Sequence, residues 1–153
     1  MDPGAGARIP AITANGIGTE MTDNPLPAAT IILLHEDENG LKAFMQERHR
    51  DSGAFSSMLV FPGGKVNASD RDPRWSDHCR DGDGDGDDGD PEQLAHRVAA
   101  IRESFEESGV LLARAEGEHT LLDGARVAAL ANYRAMLQSG ALEFMVFVQQ
   151  QRL

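Results

Sequence analysis

The chain has a single cysteine, Cys79, in 153 residues, which excludes an intrachain disulfide and any multi-cysteine zinc site. Aromatic residues make up only 5 % of the sequence, so part of it is expected to lie outside the packed unit. Basic residues are scarce as well: 14 Lys and Arg against 25 Asp and Glu give a formal net charge of -11. With no clustered basic patch, nucleic acid and anionic membrane surfaces are excluded as partners. An anionic small molecule would need a cation to bridge it to this chain. No apolar run approaches the roughly 20 residues that span a bilayer. Met1 to Asn24 also lack the basic start and apolar core of a signal peptide. A soluble, cytoplasmic protein is expected, and a homodimer is left open.

What is present amounts to one domain's worth of chain. Residues 1–24 are rich in Gly, Ala, Pro and Thr without a helical or strand period, and read as a flexible leader to a domain over 25–153. From Ala28 the continuous run Ala-Ala-Thr-Ile-Ile-Leu-Leu suits a strand buried on both faces. Glu36 to Gly40 supply a turn, and Leu41 to Arg48 alternate apolar and polar side chains, which predicts a hairpin over 29–48. Ser57 to Phe61 form a third short strand candidate, stopped by Pro62-Gly63-Gly64. Residues 71–90 lead into the acidic repeat Asp81-Gly-Asp-Gly-Asp-Gly-Asp-Asp-Gly-Asp90, which cannot pack and predicts a solvated insertion loop.

A helix then has its signals in place: Asp90 as N-cap, Pro91 at the first position, Glu92 in the first turn and Gly109 past the end. Leu94, Val98, Ile101 and Phe105 form its core stripe, which leaves Glu103, Glu106 and Glu107 near the opposite, exposed side. Beyond it, Val110 to Ala113 read as the start of a strand, Gly124 to Gln138 as a helix, and Leu142 to Val148 as a segment that leans to helix.

Three carboxylates on one helix face are what the wet side of any amphipathic helix offers, and like-charge pairs cost only a few tenths of a kcal/mol each. Their position argues for more. They occupy the last two turns, where the helix dipole disfavours negative charge by about 0.3 to 1 kcal/mol apiece, and a bound cation would relieve both penalties. Hard cations such as Mg²⁺ or Mn²⁺ take oxygen ligands, and residues three and four apart on a helix can share them. Gly63-Gly64 would let backbone approach such an ion or a phosphate without a side chain intervening.

Together these elements resemble the Nudix box. Its second half reads here Arg102-Glu103-Ser104-Phe105-Glu106-Glu107-Ser108-Gly109-Val110, with Ser104 where an aliphatic residue is usual. In the first half, Phe61-Pro62-Gly63-Gly64 is followed by Asp70 in place of glutamate. The usual gap of seven residues has become thirty-one, Arg71 to Ile101. The insertion, Val60-Phe-Pro-Gly-Gly-Lys-Val and Asp72-Pro-Arg-Trp75 are similar to the Nudix-19-like, coenzyme A diphosphatase-like subgroup. Glu47-Arg48-His49-Arg50 with Phe55 to Phe61 is a loose echo of the additional motif that coenzyme-A-cleaving members carry.

The resemblance implies an α/β/α sandwich with a mixed sheet and a Mg²⁺- or Mn²⁺-dependent hydrolase of a phosphate anhydride. Its substrate would be a nucleotide or a coenzyme A-type molecule. Glu103, Glu106 and Glu107 match the family's metal ligands, Gly63 its backbone carbonyl ligand, and Arg102 the arginine that orients a ligand carboxylate; Gly64 and Asp70 match its substrate loop. A general base is expected from a later segment, with Glu116, Glu118, His119 and Glu143 as candidates. The family fold needs further strands and a C-terminal helix, which the 43 residues after Val110 do not make evident, so the domain is expected to be truncated. The alternative is a non-catalytic Nudix-like module that binds metal or nucleotide.

Asp81-Gly-Asp83-Gly-Asp85-Gly86, with Glu92 after five residues, formally meets the calcium-loop pattern, but alternating Asp-Gly does so by composition and no entering helix precedes it. The five histidines show no mutual ligand spacing. Cys79, in acidic surroundings, is not expected to be a nucleophile, and Trp75 is expected to anchor the insertion.

Overall fold

In the computed structural model, which describes residues 25–47, 58–79 and 90–153, the first half of the chain forms three antiparallel pairs. β1 (Ala28–Thr30) pairs with β6 (Gly63–Lys65), setting Ala29 opposite Gly64 and Thr30 opposite Gly63. β2 (Leu34–Asp37) and β3 (Gly40–Ala43) make a tight hairpin closed by Glu38-Asn39, with Gly40 at a φ of 103° that only glycine adopts readily. β4 (Gln46–Glu47) pairs with β5 (Leu59–Val60). The expected hairpin is thus present but shorter, and Leu41 to Glu47 divide between two ladders. Among the described residues every ladder is antiparallel.

The strand expected to be buried on both faces is not. Ala28 and Thr30 are exposed, as are Leu34 and Leu41 at 59 % and 68 %. Each strand has one partner, and only β1 and β6 are covered by a helix among the described elements. A continuous apolar run reports a strand's appetite for burial and cannot report whether a second layer covers it.

The insertion begins in order. Ala68–Arg71 form a 3₁₀ turn, and α1 (Trp75–His78) follows, so the first part of the span expected to be a solvated loop from residue 71 is structured. Trp75 is buried, donates its indole N–H to the Ser69 carbonyl at 2.9 Å and packs on Phe144, which makes it the anchor the sequence suggested. The acidic repeat through residue 89 lies outside the described residues, as do the leader over 1–24 and residues 48–57.

α2 spans Pro91–Ser108 as expected, with the Asp90 carboxylate accepting from the Glu92 N–H at 2.9 Å and Gly109 left-handed at φ 79°. It has two buried faces rather than one. Val98 and Phe105, with Leu94 and Ile101 beside them, meet the C-terminal helices. Ala95 and Ala99 lie under Val66 and Ala29, because small residues four apart let the helix approach β1 and β6 closely. Ser104 is fully buried with its hydroxyl unpartnered, a cost of about 1 to 3 kcal/mol where an aliphatic residue would sit without one.

The expected helix over Gly124–Gln138 is two: α3 (Gly124–Ala129) and α4 (Tyr133–Gln138), parted by i to i−3 bonds at Leu130 and Ala131. Val110 to Ala113 begin no strand; only Arg114 and Leu121 form an isolated bridge. The ambiguous segment is helical, α5 (Phe144–Gln151), so a helix does follow the box. Phe147, fully buried, stacks on Phe105 at 5.4 Å, joining the carboxylate helix to the chain's last helix. Among the described residues no helix is long and apolar enough to cross a membrane.

Candidate functional site

The site is organised around a buried ion pair. Arg102 donates Nε and Nη2 to the two oxygens of Asp70, both at 2.9 Å, while Nη2 also reaches the Lys65 carbonyl at 3.0 Å. Asp70 is held in turn by the Asn67 N–H at 2.8 Å, which closes the 3₁₀ turn after the glycine loop. Aspartate reaches Arg102 because this turn carries residue 70 under α2; the side chain is 1 % exposed. Burial works against the Arg102 charge, and the Asp70 carboxylate more than offsets it, so the guanidinium is held above its ordinary range.

Its remaining nitrogen, Nη1, faces Glu103 at 2.9 Å and Glu106 at 3.4 Å. These two carboxylates are only 15 % and 14 % exposed, against the expectation of one fully exposed acidic face. Proximity to the second buried face of α2 accounts for this. Burial raises the Glu106 carboxyl above its ordinary range and the neighbouring Glu103 adds to the shift, with Arg102 pulling the other way. Glu107 is exposed and accepts from the Gly63 N–H at 3.3 Å and from the Gln46 amide. In an extended strand a residue's N–H and carbonyl leave by the same edge, so the Gly63 carbonyl is on the Glu107 side too.

The two glycines do different work. A Cβ on Gly63 would lie 2.4 Å from the Ala29 carbonyl oxygen, so this residue must be small for β1 and β6 to pair. On Gly64 it would lie 2.3 Å from the Glu103 carboxylate, which rests on the bare backbone. Gly63→Ala is therefore expected to cost about 1 to 3 kcal/mol by overpacking against rigid backbone. Gly64→Ala should displace only the end of the Glu103 side chain, with the melting temperature nearly unchanged. Thermal melts on both variants check this, and the reverse ordering of their stabilities would refute it.

The end of α2 carries contacts that sequence reading missed. Arg134 of α4 donates Nε to the carbonyls of Phe105 and Glu106 at 3.0 and 3.3 Å, and Nη2 to those of Glu106 and Glu107 at 3.0 and 2.8 Å. The Gln138 amide also donates to the Glu106 carbonyl. A charged residue at an apolar-stripe position, Arg134 beside Tyr133, was the available signal. The dipole penalty inferred from sequence thus already has a partial answer within the protein.

The donor set, three carboxylates and a backbone carbonyl, is the hard-oxygen chemistry that Mg²⁺ or Mn²⁺ takes, and half-buried Glu106 is a carboxylate short of positive charge. The residues fit such an ion in kind, but among the described residues no three acidic, His or Cys side chains are gathered to hold one. Glu103 and Glu106 turn to Arg102, and Glu107 to Gly63. Of the proposed bases, Glu116 pairs with Arg152 and Glu118 with Arg126, and both border a cavity of about 560 Å³ against Val98 and Ile101, a different face of α2. Glu143 is the residue before α5, and His119 is exposed in the same loop as Glu118. None of the four is brought to the carboxylates. A second cavity of about 750 Å³ does adjoin Glu107, between Gly63, Gln46 and Gln138 and the apolar Met45, Val60 and Phe61.

No protein-family model matches the chain. The structure is similar to the crystal structure of a Nudix hydrolase from Alicyclobacillus acidocaldarius, at 26 % identity and a TM-score of 0.50 over 78 % of this chain. The match spans 55 % of that protein, so the chain corresponds to about half its length. The fold is accordingly a Nudix-like α/β fold.

Proposed function

We propose that this chain is a Nudix-type hydrolase that cleaves a phosphate anhydride in a nucleoside diphosphate linked to another group, with coenzyme A or its esters as the favoured subclass. One observation carries the reading: Arg102, locked on Asp70, gathers Glu103 and Glu106, with Glu103 on the bare Gly64 backbone and Glu107 on Gly63. Likeness to a solved Nudix hydrolase supports it. Coenzyme A rests on the narrower sequence resemblance, and the apolar wall of Met45, Val60 and Phe61 is suited to the uncharged part of such a substrate.

Glu103, Glu106, Glu107 and the Gly63 carbonyl would hold Mg²⁺ or Mn²⁺. The bound ion would neutralise the anhydride and acidify a water. Arg102 donates to both Glu103 and Glu106 and so holds them together, and α2 presents Glu103 to the glycine loop. The second reading, a metal- or nucleotide-binding module without turnover, draws on the carboxylates being turned to Arg102 and on the distance of Glu116 and Glu118 from them.

Product formation from nucleoside-diphosphate sugars, dinucleoside polyphosphates and coenzyme A, with Mg²⁺ or Mn²⁺ and with chelator, separates the two. Turnover lost on chelation is expected; no turnover over the panel would favour the second reading. In either case Mn²⁺ at about 100 times its Kd should stabilise the fold by about 2.7 kcal/mol, roughly 5 to 10 °C in Tm. An unmoved melting curve would refute the cation site itself.

A further inference from the structure

We propose that Arg134 is a positioning residue for the carboxylate cluster, fixing the last turn of α2 so that Glu106 and Glu107 can share one cation. The inference rests on the reading of those two glutamates as cation ligands. The last four carbonyls of a helix have no partner within it. Here Gly109 N–H takes that of Phe105 at 2.9 Å, and α2 has no basic residue of its own in its last turn. Arg134 supplies partners for Glu106 and Glu107, and a second one for Phe105, from 27 to 29 residues away, with four hydrogen bonds of 2.8 to 3.3 Å.

Two of those three carbonyls belong to the proposed ligands themselves. A helix end left to water frays within its last turn, and a frayed turn would carry the Glu107 side chain away from Gly63. The planar guanidinium spans neighbouring carbonyls in a fixed geometry that an ammonium cannot copy. Gly109 borders the Arg134 guanidinium, and its left-handed φ of 79° ends α2 there. Gln138, one turn further along α4, adds a bond to the Glu106 carbonyl. The connection between α3 and α4 matters in this light, because a single straight helix over Gly124–Gln138 would lack the bend preceding Tyr133 and Arg134.

The charge and the geometry of Arg134 act on a cation with opposite signs. A positive group near the site repels the ion, so a role limited to charge predicts tighter binding when it is removed. A role limited to stability predicts a lower Tm with binding unchanged. Positioning predicts weaker binding.

The experiment is a Mn²⁺ titration of the full chain, read by the paramagnetic resonance of free Mn²⁺, on wild type, Arg134→Gln, Arg134→Lys and Glu107→Gln, each below its melting temperature. Arg134→Gln is expected to weaken Mn²⁺ binding about tenfold, the scale of removing a group that orients a metal ligand. Arg134→Lys, with charge kept and the fork lost, should fall between it and wild type. Unchanged or tighter binding in Arg134→Gln would overturn the proposal, and if that variant does not fold, wild-type affinity in Arg134→Lys would do so. Glu107→Gln tells this apart from failure of the site. Weakened binding there with the Arg134 variants unaffected rejects Arg134 alone, and wild-type binding there rejects the ligand assignment beneath it.

Discussion

Replacing Glu107 with glutamine is expected to lower metal-dependent kcat about 10³-fold while moving the melting temperature by no more than roughly 2 °C. Glutamine is nearly isosteric and can still accept from the Gly63 N–H, and Glu107 is exposed, so little of the fold depends on its charge. What changes is one unit of negative charge at the proposed cation site. A loss of 10³ corresponds to about 4 kcal/mol of transition-state stabilisation, the scale of removing one preorganised group from a site where charge develops.

Glu106→Gln should match Glu107→Gln in rate and differ in stability. The native state raises the Glu106 carboxyl above its ordinary value of 4.5, chiefly through burial. A group raised in this way favours the native state most below its unfolded pKa, and that contribution is lost as pH rises through the folded value. At neutral pH the ionised side chain therefore burdens the metal-free protein. Glu106→Gln is expected to raise Tm in chelator at pH 7 and to leave it nearly unchanged at pH 4. Steady-state rates with Mg²⁺ and melts at the two pH values test both variants, and wild-type rates in either would sink the site assignment.

Sequence carried α2 almost intact because its boundaries are local chemistry: an aspartate that caps, a proline at the first position, a glycine that turns left-handed. The glycine loop was legible for the same reason. Burial was not, because it depends on which other layers are present. Ile31 to Leu34 announce an apolar strand, yet Ile32 and Leu34 are more than half exposed. Glu103 and Glu106 were read as a wet face, since a single stripe through Leu94, Val98, Ile101 and Phe105 hid the second one through Ala95 and Ala99. Those alanines, four apart, were the available clue to a close helix-on-sheet approach. The Arg134 clamp joins residues 27 to 29 positions apart across two helices; a charge on an apolar stripe hints at a role for it, but no local pattern names its partners.

Asp70→Ala is expected to be the most destabilising of these substitutions, at about 3 to 5 kcal/mol. Asp70 and Arg102 are both almost wholly buried, so removing the carboxylate leaves a guanidinium with Nε unpartnered and Nη2 holding only the Lys65 carbonyl. The Asn67 N–H also loses its acceptor, which loosens the turn beneath α2. Out of a total stability of about 5 to 15 kcal/mol, this is a large share. Asp70→Glu should not be neutral either: an added methylene in a fully packed place costs about 1 to 3 kcal/mol. The decisive comparison is the double variant Asp70→Ala, Arg102→Leu. If the penalty is that of a buried charge left with Glu103 and Glu106 on Nη1 alone, removing the charge as well should recover part of it, and the double variant should be more stable than Asp70→Ala alone. Urea denaturation of the four proteins measures the coupling. A cost below about 1 kcal/mol for Asp70→Ala, or strict additivity in the cycle, would mean that the pair does not hold the site together. Recovered stability without recovered activity would instead assign Arg102 its second task, keeping Glu103 and Glu106 side by side over the glycine loop.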